Sequence, residues 1–185
     1  MSFRVRGSGK AKMSRTEQPI VTVVVVPRES FNKFPQVIQR IYDVTPPIFK
    51  LMAMEGRAPE NIRRELRQLE KTKPNCKVVW SDRWLYPHEA VNQAIPMIDT
   101  EYVVFIDNDV EVEKGWLEAL VACAQEENVG CVHPIYLSTS LGSPVKKIHV
   151  AEGKLIRKRY NSQWFIDTTM TFSGVRLEED RKSVV

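Results

Sequence analysis

Two carboxylates one residue apart, Asp107 and Asp109, stand directly after the apolar run Tyr102-Val103-Val104-Phe105-Ile106. Such a run reads as a buried strand, and it delivers the pair to the edge of a sheet. Like charges this close disfavour one another unless a cation sits between them. Hard divalent cations such as Mg2+ or Mn2+ take carboxylate oxygens and share the rest of their shell with phosphates. The chemistry open to Asp107-Asn108-Asp109 is therefore to hold a cation that neutralises a diphosphate and stabilises the charge developing as it leaves. The other reading is a solvated turn, because Asp and Asn both favour turns.

The elements that would position this pair alternate regularly. Ile20 to Val26 is β-branched and almost wholly apolar, as expected of a strand buried on both faces, and Pro27 ends it. Phe34, Val37, Ile38 and Ile41 recur at helical spacing, with Pro35 tolerable in a first turn. Ile48 to Met54 reads as a second strand. Pro59 opens a second helix with Ile62, Leu66 and Leu69 on its apolar stripe and a charged face, Arg63 through Lys71, in solvent. Lys77 to Trp80 is a third strand, Pro87 to Ile95 a third helix, Tyr102 to Ile106 a fourth strand, Trp116 to Ala124 a fourth helix, and Val129 to Leu137 a fifth strand segment. This alternation predicts an α/β fold with a mainly parallel central sheet and helices on both faces. Ligands of such sheets bind at the carboxyl ends of the strands, here the loops after Val26, Met54, Trp80 and Ile106. Beyond Ser138 the alternation fails, and the chain ends near a charged run, Glu178 to Lys182.

Bulk properties exclude several classes. With 185 residues, 43% hydrophobic and 27% charged, the chain has the composition of a globular domain. Its longest apolar run is far too short to span a bilayer, and no signal peptide is visible. Cys76, Cys123 and Cys131 have neither metal-site nor disulfide-framework spacing. Cys123 and Cys131 read as small buried hydrophobes in a reducing compartment, so a cytoplasmic protein is expected, with a peripheral membrane association left open. Part of the net charge of +4 lies in residues 1–18, which read as a basic disordered tail. It lacks the interleaved aromatics of a nucleic-acid-binding arm, so no nucleic-acid partner is expected.

A series of motifs carries a resemblance. Thr22 to Glu29, Met54-Glu55-Gly56, Pro87 to Asn92, Tyr102 to Asp109 and Gly115 to Leu120 are similar, in this order, to the motifs of family 2 glycosyltransferases. The resemblance implies a GT-A (Rossmann-like) fold over residues 19–158, incomplete at its C-terminal acceptor side; residues 159–185, of weak periodicity, read as a weakly structured segment. It implies transfer of a sugar from a nucleotide-diphosphate donor, with inversion, to the hydroxyl of an acceptor: a glycan, a lipid or a protein. Pro27, Arg28 and Glu29 would lie along the nucleoside. Glu55 would contact the base, with Gly56 in the turn beside it, and Asn92 would lie near the nucleotide. Asp107 would touch the ribose or the metal shell, and Asp109 would ligate Mn2+ or Mg2+; Asn108 lies between them in the cofactor-binding loop.

The sequence departs from that pattern at Val91, where the family commonly has Arg, and in the later portion that carries the acceptor-side base. No catalytic residue is therefore assigned. Glu178, Glu179 and Asp180 stand in a charged run with no apolar element leading in, which reads as solvated. The alternative is a non-catalytic nucleotide-sugar-binding protein, or a truncated one that lacks the acceptor region. Of the histidines, His88 could approach phosphate, His133 reads as a core residue, and His149 could lie near the donor sugar. Trp84 and Tyr86 could line the site.

Overall fold

A computed structural model describes residues 2–4, 19–46, 48–139, 146–150, 152–160 and 163–171. They form two compact units, Met1–Val132 and His133–Val185.

The first unit contains β1 (Ser2–Arg4), β2 (Val21–Val26), α1 (Phe34–Val44), β3 (Phe49–Met54), α2 (Glu60–Thr72), β4 (Cys76–Val79), α3 (Pro87–Ala94), β5 (Tyr102–Asp107), α4 (Trp116–Ala124) and β6 (Cys131–Val132). Its sheet runs in the order β4-β3-β2-β5-β1-β6. β4, β3, β2 and β5 are parallel, and β1 pairs antiparallel with both β5 and β6.

The apolar run of β2 is explained by the layers on either side. Val21, Val23 and Val25 enter a core built with Phe34, Val37, Ile38 and Ile41 of α1, Ile62 and Leu66 of α2, and Leu117 and Leu120 of α4. Val24 and Val26 enter a second core with Met52, Met54, Leu85 and the alanines Ala90 and Ala94 of α3. Alternate residues of one strand thus face opposite layers, and neither face can be polar. The one polar residue of the strand, Thr22, is buried and shares a hydrogen bond with Thr100 at 2.7 Å between the hydroxyls.

The second unit contains two antiparallel pairs. β7 (Tyr136–Thr139) pairs with β8 (Lys146–Val150), and β9 (Glu152–Tyr160) pairs with β10 (Gln163–Thr171) through an unbroken register.

The structure departs from several of these expectations. Ser2–Arg4 do not belong to a disordered tail but form β1; the unpaired backbone edge of β5 accepts a strand whatever its side chains. Residues 5–18 lie outside the described residues. The strand expected from Val129 to Leu137 is two, β6 and β7, interrupted around Pro134, which has no N–H for a ladder, and its halves fall in different units. The boundary expected at 158 falls inside β9, and the segment expected to be weakly structured contributes β10. Cys123 and Cys131 are exposed. The stripe of α4 that faces the core is Leu117, Leu120 and Ala124, and β6 is the outermost strand of its sheet. His133 is exposed as well.

Candidate functional site

The strand order locates the site. From β2 the chain steps to β3 and then β4 on one side, whereas β5 returns to the other side of β2. The loops after β2 and β5 therefore stand side by side at the carboxyl ends of their strands, the usual ligand position in open parallel sheets. Val26 and Asp107 are register partners, so Arg28 and Asp107 are brought to the same place.

Each group there has a specific setting. Asp107, the last residue of β5, is half-buried, and its Oδ2 lies 4.0 Å from Arg28 Nε. Glu29, largely exposed, approaches the same Nε at 3.6 Å. Both contacts are long and partly solvated, which leaves the guanidinium free to exchange partners. Partial burial pushes the Asp107 carboxyl up from its ordinary range; Arg28 pulls it down and the charge of Asp109 pushes it up again.

Asn108 is wholly buried between these groups. Its backbone N–H donates to Val26 O at 3.1 Å, and its Oδ1 accepts from the Arg28 N–H at 3.0 Å. One residue thus ties the loop after β5 to the loop after β2. Its Nδ2 is buried without a hydrogen-bond partner.

Pro27 and Gly56 close the other side of β2. Gly56 has φ of +67°, and a Cβ built on it would lie 2.9 Å from Pro27 Cβ and Cγ. Only glycine allows both the left-handed turn and this approach. Glu55, expected to face the base, is wholly buried instead. Its Oε1 accepts from the Ala58 N–H at 2.5 Å and its Oε2 from the Ser81 N–H at 3.1 Å. Arg63, expected in a solvated face, is mostly buried, with Nε 3.5 Å from Glu55 Oε1 and its guanidinium carbon 5.4 Å from the Trp80 ring centre. At that distance Arg63 Nε forms an ion pair with Glu55 but no hydrogen bond. Nothing in the sequence spacing signals the Ser81 or Arg63 contacts, because they depend on how two loops fold against each other.

Asn92 lies on the exposed side of α3, opposite the buried Ala90 and Ala94, and no hydrogen bond among the described residues links it to the strand-end loops. Trp84 is exposed and packs edge-on against Phe31 with ring centres 5.3 Å apart, joining the loops after β4 and β2. Phe31 carries no sign in the sequence, since one aromatic in a three-residue 3-10 turn makes no periodicity. Tyr86 is exposed and stacks on His88. The side chain of His149, and all of Glu178, Glu179 and Asp180, lie outside the described residues.

The fit of a divalent cation can be judged from the donors present. Among the described residues no three His, Cys, Asp or Glu side chains come together, so no all-protein metal cage exists there. Asp107 and Asp109 offer two carboxylates at an open strand end, one of them unfavourably placed beside the other's charge. That donor set suits a cation held by one or two carboxylates and completed by phosphate oxygens.

Fold and strand-end site together define a GT-A-type domain. The sequence profile of glycosyl transferase family 2 matches residues 22–179, and the chain belongs to that family. Among solved structures, the chain is similar to a mannosyltransferase, PcManGT from Pyrobaculum calidifontis, in complex with GDP-Man and Mn2+. The TM-score is 0.54 and the identity 22%; the match covers 64% of this chain and 37% of that one. This likeness supports the fold, and the chain spans well under half of that protein's length. No curated protein is significantly similar in sequence. No helix among the described residues is long and apolar enough to cross a membrane.

Proposed function

We propose that the chain binds a nucleotide-diphosphate sugar at the carboxyl ends of β2 and β5 and serves transfer of that sugar to an acceptor hydroxyl. The observation that carries this reading is the convergence of Arg28, Asp107 and Asn108 at the one point where the strand order reverses. Asp109, with Asp107, would hold Mn2+ or Mg2+. When bound, such a cation supplies positive charge against the departing diphosphate. Arg28 is placed to add its own charge there once Asp107 is engaged elsewhere. Asn108 keeps the Arg28 backbone fixed against β5, so that the two loops approach a ligand as one surface. In transfer, the acceptor oxygen forms a bond to the anomeric carbon as the bond to the diphosphate breaks, and the acceptor's proton passes to a base. No described residue is assigned that role. Three free thiols accord with the cytoplasm as the compartment.

Calorimetry with UDP and GDP, with and without Mn2+, tests the reading. Metal-dependent binding that is lost in Asp109→Ala is the expected result. Equal affinity in the wild type and the variant would remove the metal site. A hydrolysis and transfer assay with a panel of hydroxyl acceptors then separates a transferase from a donor-binding protein.

A further inference from the structure

We propose that Glu55 is a positioning residue that clips the loop after β3 to the loop after β4, and that it does not read the donor's base. The inference rests on the nucleotide-binding reading above. Its basis is the disposition of the carboxylate. No part of the Glu55 side chain reaches solvent, and each oxygen accepts a backbone N–H from a different loop: Ala58 on one side, Ser81 on the other. The backbone continues the same junction, since the Glu55 N–H donates to Val79 O at 3.0 Å.

A buried carboxylate is costly unless paired and hydrogen-bonded, and here Arg63 supplies the countercharge. Turning Glu55 outward to meet a ligand would break both amide contacts. It would also strand Arg63, whose buried Nε has no hydrogen-bond partner. The clip has reach beyond its own loops. Gly56, next in sequence, packs on Pro27 after β2, and Trp84, three residues after Ser81, packs on Phe31. Releasing Glu55 therefore loosens the loops after β2, β3 and β4 together.

Base specificity is affected in turn. Uracil and guanine each carry a ring N–H that a carboxylate could accept, and adenine does not. With Glu55 withdrawn, that discrimination is not made by this residue.

The test uses the full chain with Mn2+ and three probes, UDP, GDP and ADP. In Glu55→Gln one of the two backbone N–H groups faces an amide N–H2 instead of an oxygen. The expected result is a common loss of affinity for all three nucleotides, about tenfold for one lost charged hydrogen bond, with their ratios unchanged within about twofold. The core variant Ile41→Val, which lowers stability away from these loops, should leave all three affinities in place. A loss confined to one nucleotide would overturn the proposal, as would an equal loss in Ile41→Val.

Amide exchange in the wild-type protein gives a second measurement that needs no variant. The Ala58 and Ser81 amides should stay protected when UDP or GDP is added. Loss of their protection on binding would mean that Glu55 swings to the base, and would also overturn the proposal. If the wild type binds none of the three nucleotides, the donor-site reading fails. Exchange at Ala58 and Ser81 in Glu55→Gln then decides the clip by itself: faster exchange supports it and unchanged exchange overturns it.

Discussion

Glu55 and Asp107 invite comparison. Both are acidic, both stand at the carboxyl ends of strands that flank β2, and both fall in motifs for which the family resemblance implies a ligand-facing role. Their settings are opposite. Asp107 is half-exposed, near an arginine that it does not firmly hold, and beside a second carboxylate that disfavours its charge. Glu55 is wholly enclosed, with two backbone donors and an arginine arranged around it. A carboxylate whose needs are unmet by the protein is available to a cation or a ligand. One whose needs are fully met has become part of the frame. The lesson is that residue type and position along an element do not decide which of these a carboxylate will be; the number of protein donors that reach it does.

The comparison can be broken at its functional end first. Asp109→Ala should weaken metal-dependent nucleoside diphosphate binding by more than roughly a hundredfold, because changes to outer partners of metal ligands alone cost about 10–100-fold. Calorimetry at fixed Mn2+ measures this, and a loss below about tenfold would speak against Asp109 as a ligand. At the structural end, Glu55→Gln should destabilise the fold by about 3 kcal/mol, as expected when a buried, hydrogen-bonded charge loses its match. Urea unfolding monitored by tryptophan fluorescence gives the value, and a loss under about 1 kcal/mol would mean that the enclosure is loose.

Gly56→Ala probes the neighbouring turn. Overpacking against Pro27 combined with a positive φ should cost about 2 kcal/mol. The same unfolding experiment checks it, and an unchanged midpoint would show that the loop shifts to make room.

Asp107→Asn is the counterpart that should do almost nothing to the unliganded fold. The raised Asp107 pKa means that the folded protein holds this charge less readily than the unfolded chain does. Removing the charge should therefore change stability by less than about 0.5 kcal/mol, in the stabilising direction if at all. A large destabilisation would erase the contrast with Glu55.

The smallest effect extends the same rule to the thiols. Burial pushes Cys76 up to about 11, whereas Cys123 and Cys131 are exposed. At pH 8 a thiol reagent should modify two groups quickly and the third at least about tenfold more slowly, since thiolate is the reactive form. Three equal rates would show that Cys76 is not enclosed.

Much of this architecture is legible in the order of residues. β2, β3 and β5 are buried on both faces, and a strand with two apolar faces announces itself as a continuous run, as Val21 to Val26 does. Helices α1 and α2 declare themselves by stripes that fit one face. Asp107 and Asp109 are legible as a pair because they follow directly on such a run. Less legible are β1 and the β9–β10 pair, where backbone pairing with a partner distant or opposite in the chain does not require an apolar pattern. The exposure of Cys123 escapes the pattern because the residue lies next to the core stripe of α4, where one step of helical phase separates inside from outside.

Sequence by itself thus determined the alternating architecture, the family motifs and the residues delivered to the carboxyl edge of the sheet, because these follow from local periodicity and from what directly precedes a turn. Tertiary structure alone decided what those residues meet. Asn108 reaches Arg28 across eighty positions of sequence, and Glu55 reaches Ser81 across twenty-six. Which donors surround a carboxylate depends on the order in which strands pair and on how their loops pack, and no local pattern encodes that. This is the physical reason why Asp107 is half-exposed while Glu55 is wholly buried.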